Sequence, residues 1–284
     1  MKYFSFLLLT LFLLPSILYA AQSDYVFFIL TQGYPYKQIG FSSRKHKDVC
    51  LKFGDKVRIE DEYVLGSITW FRCYREPYFF YLPEGFIVKE ATGIHYDSRG
   101  NIKIGKEIVD KRNAFPVLYR PNDLIPVPLK YRAEGYENRV LLLREEAEEI
   151  FSSMIEDAEK DGVKIRILSA FRSAQYQSYL YFNSTKKRGV LQDSVAKPGH
   201  SEHQLGTTCD LTTGEINNVL SQDFENTCAY QWLKEHISYY GVSLSYPKYK
   251  ERVTGYKYES WHYRYWGKAR WEYYQRKYGL FLSR

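Results

Sequence analysis

The sequence predicts an α+β protein in which a small all-β unit precedes a mixed helix-and-strand domain. Three observations carry that expectation. Residues 24–92 read as short aromatic and β-branched runs separated by turn signals. From residue 139 onward, helix-period and strand-period segments mix. No regular strand–helix–strand repeat runs along the chain, as a parallel α/β sheet would require. At 284 residues the chain is long enough for two such units.

The N-terminus has the layout of a secretory signal peptide, residues 1–20. Lys2 supplies a positive charge, residues 4–14 form an apolar run, and Leu18-Tyr19-Ala20 precedes a cut site. The run is shorter than the ~20 residues of a spanning helix, so we expect export to the periplasm or cell envelope with no integral membrane segment after cleavage. In the β unit, Tyr25-Val26-Phe27-Phe28-Ile29-Leu30, Lys56-Val57-Arg58-Ile59 and Ser67-Ile68-Thr69-Trp70-Phe71-Arg72 read as strands. Gly54-Asp55, Leu65-Gly66 and Pro83-Glu84-Gly85 mark turns. The order Gly54-Asp55-Lys56-Val57, Ile68-Thr69-Trp70-Phe71-Arg72, Glu84-Gly85-Phe86-Ile87 resembles a bacterial SH3-like barrel.

Residues 93–138 carry Pro116, Pro121, Pro126 and Pro128 and read as an extended linker across the next domain. The domain at 139–284 opens with a helix over 144–160, whose apolar positions Ala147, Ile150, Phe151, Met154, Ile155 and Ala158 recur at helical spacing. Asp161-Gly162 stops it. A strand follows over 163–169, then helices over 173–182 and 229–240, the last stopped by Gly241. The Tyr-rich stretch 266–278 reads as a final amphipathic helix.

Composition narrows the partners without choosing among them. The net charge of +7 suits an acidic partner, but the short clusters at 44–47 and 186–188 read as solvated faces. No nucleic-acid partner is expected. The 28 Tyr and 17 Phe leave rings to spare for lining a groove. Four cysteines in an exported chain suggest two disulfides, and the local pairing Cys50–Cys73 and Cys209–Cys228 keeps each bridge inside one unit. No CxxC spacing supports a cysteine zinc site.

Three of the six histidines fall in two neighbourhoods, residues 198–211 and 258–267. Catalytic zinc takes about three His, Asp or Glu ligands, with a further carboxylate to take a proton from water. His203, Asp210, His262 and Glu259 form such a set. Spacing alone leaves it open: His203 and Asp210 are seven positions apart and would face opposite ways on one straight strand. A turn at Gly206 and a bend at Ser260-Trp261 are needed. His200 is a rival ligand nearby; His46, His95 and His236 read as ordinary surface or core residues.

The segment S-E-H-Q-L-G-T-T-C-D (201–210) resembles the S-x-H-x-x-G-x-A-x-D signature of the VanY-type D-alanyl-D-alanine carboxypeptidase family. E-S-W-H-Y-R-Y (259–265) is similar to its E-x-W-H-[FY]-R-Y motif. Ser169-Ala170-Phe171-Arg172-Ser173 followed by Gln177 is similar to S-[GA]-[FY]-R-S-x-x-x-Q. The three motifs stand in the family's order over about 100 residues, and the resemblance spans roughly 115–280. It implies a hedgehog/DD-peptidase-like α+β zinc domain with His203, Asp210 and His262 as ligands to zinc. Glu259 would be the general base and Arg172 the stabiliser of the oxyanion, with Ser201, Gln177 and Trp261 around the substrate, a peptidoglycan stem peptide. The alternatives are L,D-carboxypeptidase or endopeptidase specificity, a non-catalytic wall-binding protein, and a structural or signalling zinc domain. The chain departs from the pattern at Thr208, where Ala is usual, and at Ser260, where Pro is frequent. Cys209 beside a ligand is also uncommon; its thiolate would compete for the metal unless bridged.

Overall fold

A computed structural model of the chain describes residues 25–30, 32–89, 91–105, 108–188 and 195–267. The expected signal peptide and all of the Tyr-rich tail beyond Gly267 lie outside the described residues.

The N-terminal unit comprises β1 (Tyr25–Phe28), β2 (Gln32–Gly33), β3 (Leu51–Lys52), β4 (Lys56–Leu65), β5 (Ile68–Arg75), β6 (Tyr78–Pro83) and β7 (Ile87–Lys89). Five of these form an antiparallel sheet in the order β6-β5-β4-β1-β7, so the last strand closes beside the first. Alternation sorts the faces. Phe71 and Cys73 on β5 and Phe80 and Leu82 on β6 point into one core with Phe28, Leu51 and Val57. Trp70 points the other way, yet is buried because Tyr36 and Phe41 pack on it with ring centroids 5.2 and 5.0 Å away. Lys45 lies over the Tyr36 ring at 3.1 Å, so this member of the basic cluster is not merely solvated.

The C-terminal domain adds β8 (Leu124–Pro126), β9 (Leu142–Arg144), α1 (Glu145–Lys160), β10 (Arg166–Ser169), α2 (Ala174–Arg188), β11 (Thr208–Thr212), α3 (Cys228–His236), β12 (Val242–Leu244), α4 (Glu251–Thr254) and β13 (His262–Tyr265). Its centre is an antiparallel sheet ordered β10-β11-β13-β12. Helix α1 lays Ala147, Phe151, Met154, Ile155 and Ala158 onto this core, as its spacing predicts. Glu145, Glu146 and Glu148 sit at its positive N-terminal end. Helix α3, capped by the Thr227 hydroxyl, ends at His236; a 3-10 turn carries the chain to Gly241, which takes φ 67°. The predicted helix over 229–240 is therefore real but changes pitch in its last turn.

Residues 93–138 are more than a linker. Strand β8 pairs with β9, and Val127 and Tyr131 are buried in the domain core. Arg144 explains the docking. Its fully buried guanidinium donates to Asp123 (2.9 Å) and to the Ile102 carbonyl (2.6 Å), with Asp97 3.4 Å away. A buried cation needs such partners, and they come from this segment. Helix α2 in turn places Ala174 and Tyr181 in the core of the N-terminal unit.

The two expected disulfides do not form: all four cysteines are free thiols. Cys73 and Cys209 point into the two cores, whereas Cys228 is exposed at the start of α3, and Cys50 is half-buried and accepts from Gln32. Burial pushes the Cys73 thiol up to about 12, which leaves it protonated and inert.

Gly206 makes the turn that the site needs, with φ 73°. A Cβ there would stand 2.9 Å from Arg144 Cγ and 2.9 Å from Leu124 Cδ2. Gly206→Ala is therefore expected to lower stability by about 2–3 kcal/mol, read as a lower urea midpoint with an unchanged slope.

Candidate active site

Register places the site. In the β11–β13 pair Asp210 lies directly opposite His262, and Thr208 opposite Arg264. Cross-strand partners share a face, so Asp210, His262 and Arg264 stand together. Cys209 and Tyr263 between them point into the core. Strand alternation, rather than a disulfide, keeps the Cys209 thiol away from the ligand set, and burial raises its pKa well above the ordinary value.

His203 arrives from the 3-10 turn Glu202–Leu205 and is carried over the sheet by the bend at Gly206. The second bend is also present: Ser260 and Trp261 form a turn, with the His262 N–H 3.5 Å from the Glu259 carbonyl. One ligand atom each from His203, Asp210 and His262 lies within 4.8 Å of the others, and all three residues are buried.

The hydrogen bonds of the two imidazoles show that this set fits a metal. His203 Nδ1–H donates to the Ala170 carbonyl at 2.6 Å, which leaves Nε2 facing Asp210 Oδ2 at 3.2 Å. His262 Nε2–H donates to Glu202 Oε2 at 3.1 Å, which turns Nδ1 toward Asp210 Oδ1 at 3.1 Å. Each ring thus has its outer nitrogen anchored and its inner nitrogen aimed at one point, the arrangement that orients histidine ligands. Without a metal a proton takes that place. Burial works against charge on His262, but bonds to Asp210 and Glu202 hold its pKa up at about 10. Burial likewise opposes the Asp210 carboxylate, yet His203 and His262 keep its pKa well below the usual range.

Glu202 is the participant that sequence reasoning missed. It is buried, accepts from His262 and from Arg264 Nη1 at 2.8 Å, and is held down to about 2, Arg264 and His262 overcoming the cost of burial. The signal was present: Arg264 follows His262 by two on a strand, hence on the same face, and a buried Arg demands a carboxylate.

Glu259 reaches the set without joining it. Its Oε2 lies 3.5 Å from His262 Nδ1, its side chain remains 29% exposed, and its N–H is tied to the Tyr246 carbonyl. Burial, with Asp210 adding repulsion, raises its carboxyl to about 7 despite His262, the value of a base poised near neutrality. Arg172 stands on the other side, Nη2 3.7 Å from Asp210 Oδ2 and 3.2 Å from Ser169 Oγ. Gln177 fixes it: its Oε1 accepts from Arg172 Nη1 at 2.9 Å and its Nε2 donates to the Ala196 carbonyl. Gln177 is buried, and its amide links Arg172 to the Ala196 carbonyl. Ser201 is buried at the start of the 3-10 turn, and Trp261 packs on the domain core. His200 lies outside the set, donating Nδ1–H to the Asp110 carbonyl at 2.7 Å.

Comparison with known proteins agrees with this geometry. Residues 140–268 match the family model described as VanY, D-alanyl-D-alanine carboxypeptidase. Over these residues the C-terminal domain is similar to the VanY family. YodJ of Bacillus subtilis (strain 168), named as a carboxypeptidase, is 32% identical over 165 residues, 57% of this chain and 59% of its own. VanXYC of Enterococcus gallinarum, a bifunctional D-Ala-D-Ala dipeptidase and D-Ala-D-Ala carboxypeptidase, is 35% identical over 113 residues, 38% of this chain and 58% of its own. The chain thus spans less than two thirds of the length of these curated relatives. Among solved structures, the LdcB LD-carboxypeptidase is 28% identical with a TM-score of 0.57, the match covering 67% of this chain and 94% of that one. The VanY match leaves the N-terminal β unit outside it.

Because Glu259 is raised from 4.5 to about 7 on folding, the stability it contributes is full below about pH 4.5. It is lost as pH rises through about 7. In chelator-treated protein, Glu259→Gln is expected to gain about 3 °C in Tm over the wild type at pH 8 and little at pH 5, the shift of roughly 1 kcal/mol in a chain of this size. Equal melting differences at the two pH values would remove the raised carboxyl.

Proposed function

We propose that this chain is an exported zinc-dependent carboxypeptidase that hydrolyses the terminal peptide bond of peptidoglycan stem peptides, with D-alanyl-D-alanine ends as substrate. The observation that carries it is the convergence of His203 Nε2, Asp210 and His262 Nδ1 on one point with Glu259 and Arg172 alongside. The VanY domain and VanXYC support the D,D bond. The likeness to LdcB favours a second reading, an L,D bond one residue further in. Export rests on the leader-like residues 1–20. The 3-10 turn Glu84–Phe86 before β7, with β7 pairing to β1, supports an SH3-like N-terminal unit.

His203, Asp210 and His262 would hold the zinc, a set that matches the His and carboxylate preference of catalytic zinc. A zinc ion held there would supply Lewis acidity, enough to bring the ionisation of water down to about pH 7. Glu259 takes the proton from the attacking water and later delivers it to the leaving amine. Its half-open carboxyl and pKa of about 7 suit both transfers. Arg172, held by Gln177 and Ser169, is a fixed cation for the negative charge that develops on the carbonyl oxygen. Glu202 and the Ala170 carbonyl keep the two rings turned.

Mass analysis of pentapeptide and tetrapeptide stems, with and without chelator, separates the readings. Chelator-sensitive loss of one residue from the pentapeptide is expected, and turnover indifferent to chelator removes the metal reading. Glu259→Ala is expected to keep zinc and lose at least 100-fold in kcat; retained turnover with zinc bound would strip Glu259 of the role of base. His262→Ala should lose zinc by elemental analysis. Glu202→Gln should weaken zinc about 10- to 100-fold in a chelator competition, and an unchanged affinity would reduce Glu202 to a structural ion pair.

A further inference from the structure

A cleft of about 600 Å³ opens between the N-terminal sheet and the loop that leads into the active site. Strands β4, β5 and β7 form one wall; residues 108–114 with Lys197 and His200 form the other. Its size falls in the range of about 300–1,000 Å³ typical of small-ligand sites. Its lining is mainly polar, with an excess of positive charge: Lys89, Lys111, Arg112 and Lys197 against Glu62 and Glu84. Glu84 is already engaged, its carboxylate accepting from the Thr69 N–H at 3.3 Å and its carbonyl from Lys197 Nζ at 3.1 Å. Lys89, Lys111 and Arg112 are exposed and form no ion pair among the described residues.

The cleft is linked to the metal triad through a short relay of contacts. His200, in its wall, is bonded to the Asp110 carbonyl, and the Tyr256 hydroxyl donates to the His200 carbonyl at 3.0 Å. Lys111 Nζ lies 5.3 Å from the centre of the Tyr256 ring. Tyr256 packs on Tyr246 at 5.0 Å and Tyr246 on His262 at 4.6 Å. Two aromatic rings therefore separate the cationic wall from a metal ligand. A peptide cut at its C-terminal bond must extend away from the triad, and the cationic wall stands within two ring widths of it.

We propose that the cleft binds the acidic portion of the peptide substrate, its free side-chain carboxylates lying against Lys89, Lys111 and Arg112. This rests on the peptidase reading and sharpens it: the preferred stem would carry unamidated carboxylates, and the N-terminal unit would supply part of the substrate site.

The test uses the full chain and three substrates: a disaccharide pentapeptide with free side carboxylates, its amidated counterpart, and an N-acylated tripeptide whose only carboxylate is its C-terminus. In Lys89→Gln/Arg112→Gln, KM for the free-carboxylate substrate is expected to rise about five- to tenfold with kcat unchanged, as two partly exposed ion pairs would give. The other two substrates should change less than twofold, and added salt should raise the wild-type KM for the first substrate most. An unchanged KM, or an equal loss on all three, overturns the assignment. Calorimetry in a Glu259→Ala background reads the cleft without turnover. Absence of turnover by the wild type removes the peptidase reading, whereas equal Kd for the free and amidated ligands removes the cleft.

Discussion

The antiparallel register of β11 and β13 is the constraint on which the rest depends. It sets Asp210 against His262 on one face and Cys209 against Tyr263 on the other. A slip of one residue would turn the carboxylate and the imidazole into the core and bring a thiol and a phenol to the site. The register is pinned from both sides. Cys209, Leu211, Tyr263 and Tyr265 are buried in the apolar core, and on the opposite face Arg264 reaches Glu202. Apolar packing and ion pairing thus choose the same alignment.

Glu202 is where stability and site geometry meet. A carboxylate with two cationic partners in the interior is costly to desolvate, so the arrangement persists only while every partner is present. In return it anchors His262 Nε2 and so turns Nδ1 toward Asp210, as the Ala170 carbonyl does for the His203 ring. Arg144 plays the same part at a distance: its partners Asp123 and Ile102 bring residues 93–138 onto the domain, and its N–H bonds the Gly206 carbonyl at the site turn. Two buried arginines organise the loops around the sheet.

The legible parts were those governed by local rules. Helix α1 could be read from the spacing of Ala147, Phe151 and Ile155, and its end from Asp161-Gly162. The strands of the N-terminal unit followed aromatic and β-branched runs between turns. The convergence of His203, Asp210 and His262 was legible because they sit in short motifs, and the required bends at Gly206 and Ser260-Trp261 could be named in advance. The cysteine pairing failed because it was argued from compartment and proximity in sequence, while bridging depends on where the side chains point. Cys209 points into a core and Cys228 to the surface. That residues 93–138 lie extended across the domain could be read from their prolines, but the burial of Val127 and Tyr131 and the pairing to Arg144 could not, because a distant buried cation decides them.

The amino-acid sequence alone determined the order of most elements and singled out His203, Asp210, His262 and Glu259 as one candidate set. Each rests on residue type at short separation, where backbone geometry leaves few choices. Tertiary structure decided which imidazole nitrogen faces Asp210, that Gln177 bonds Arg172, and that Glu202 lies against His262. It also decided that a cationic cleft is shared between the two units. Apart from the Arg172–Gln177 bond, those outcomes depend on contacts between residues 33 to 113 positions apart, brought together only when the sheet pairs and the cores close.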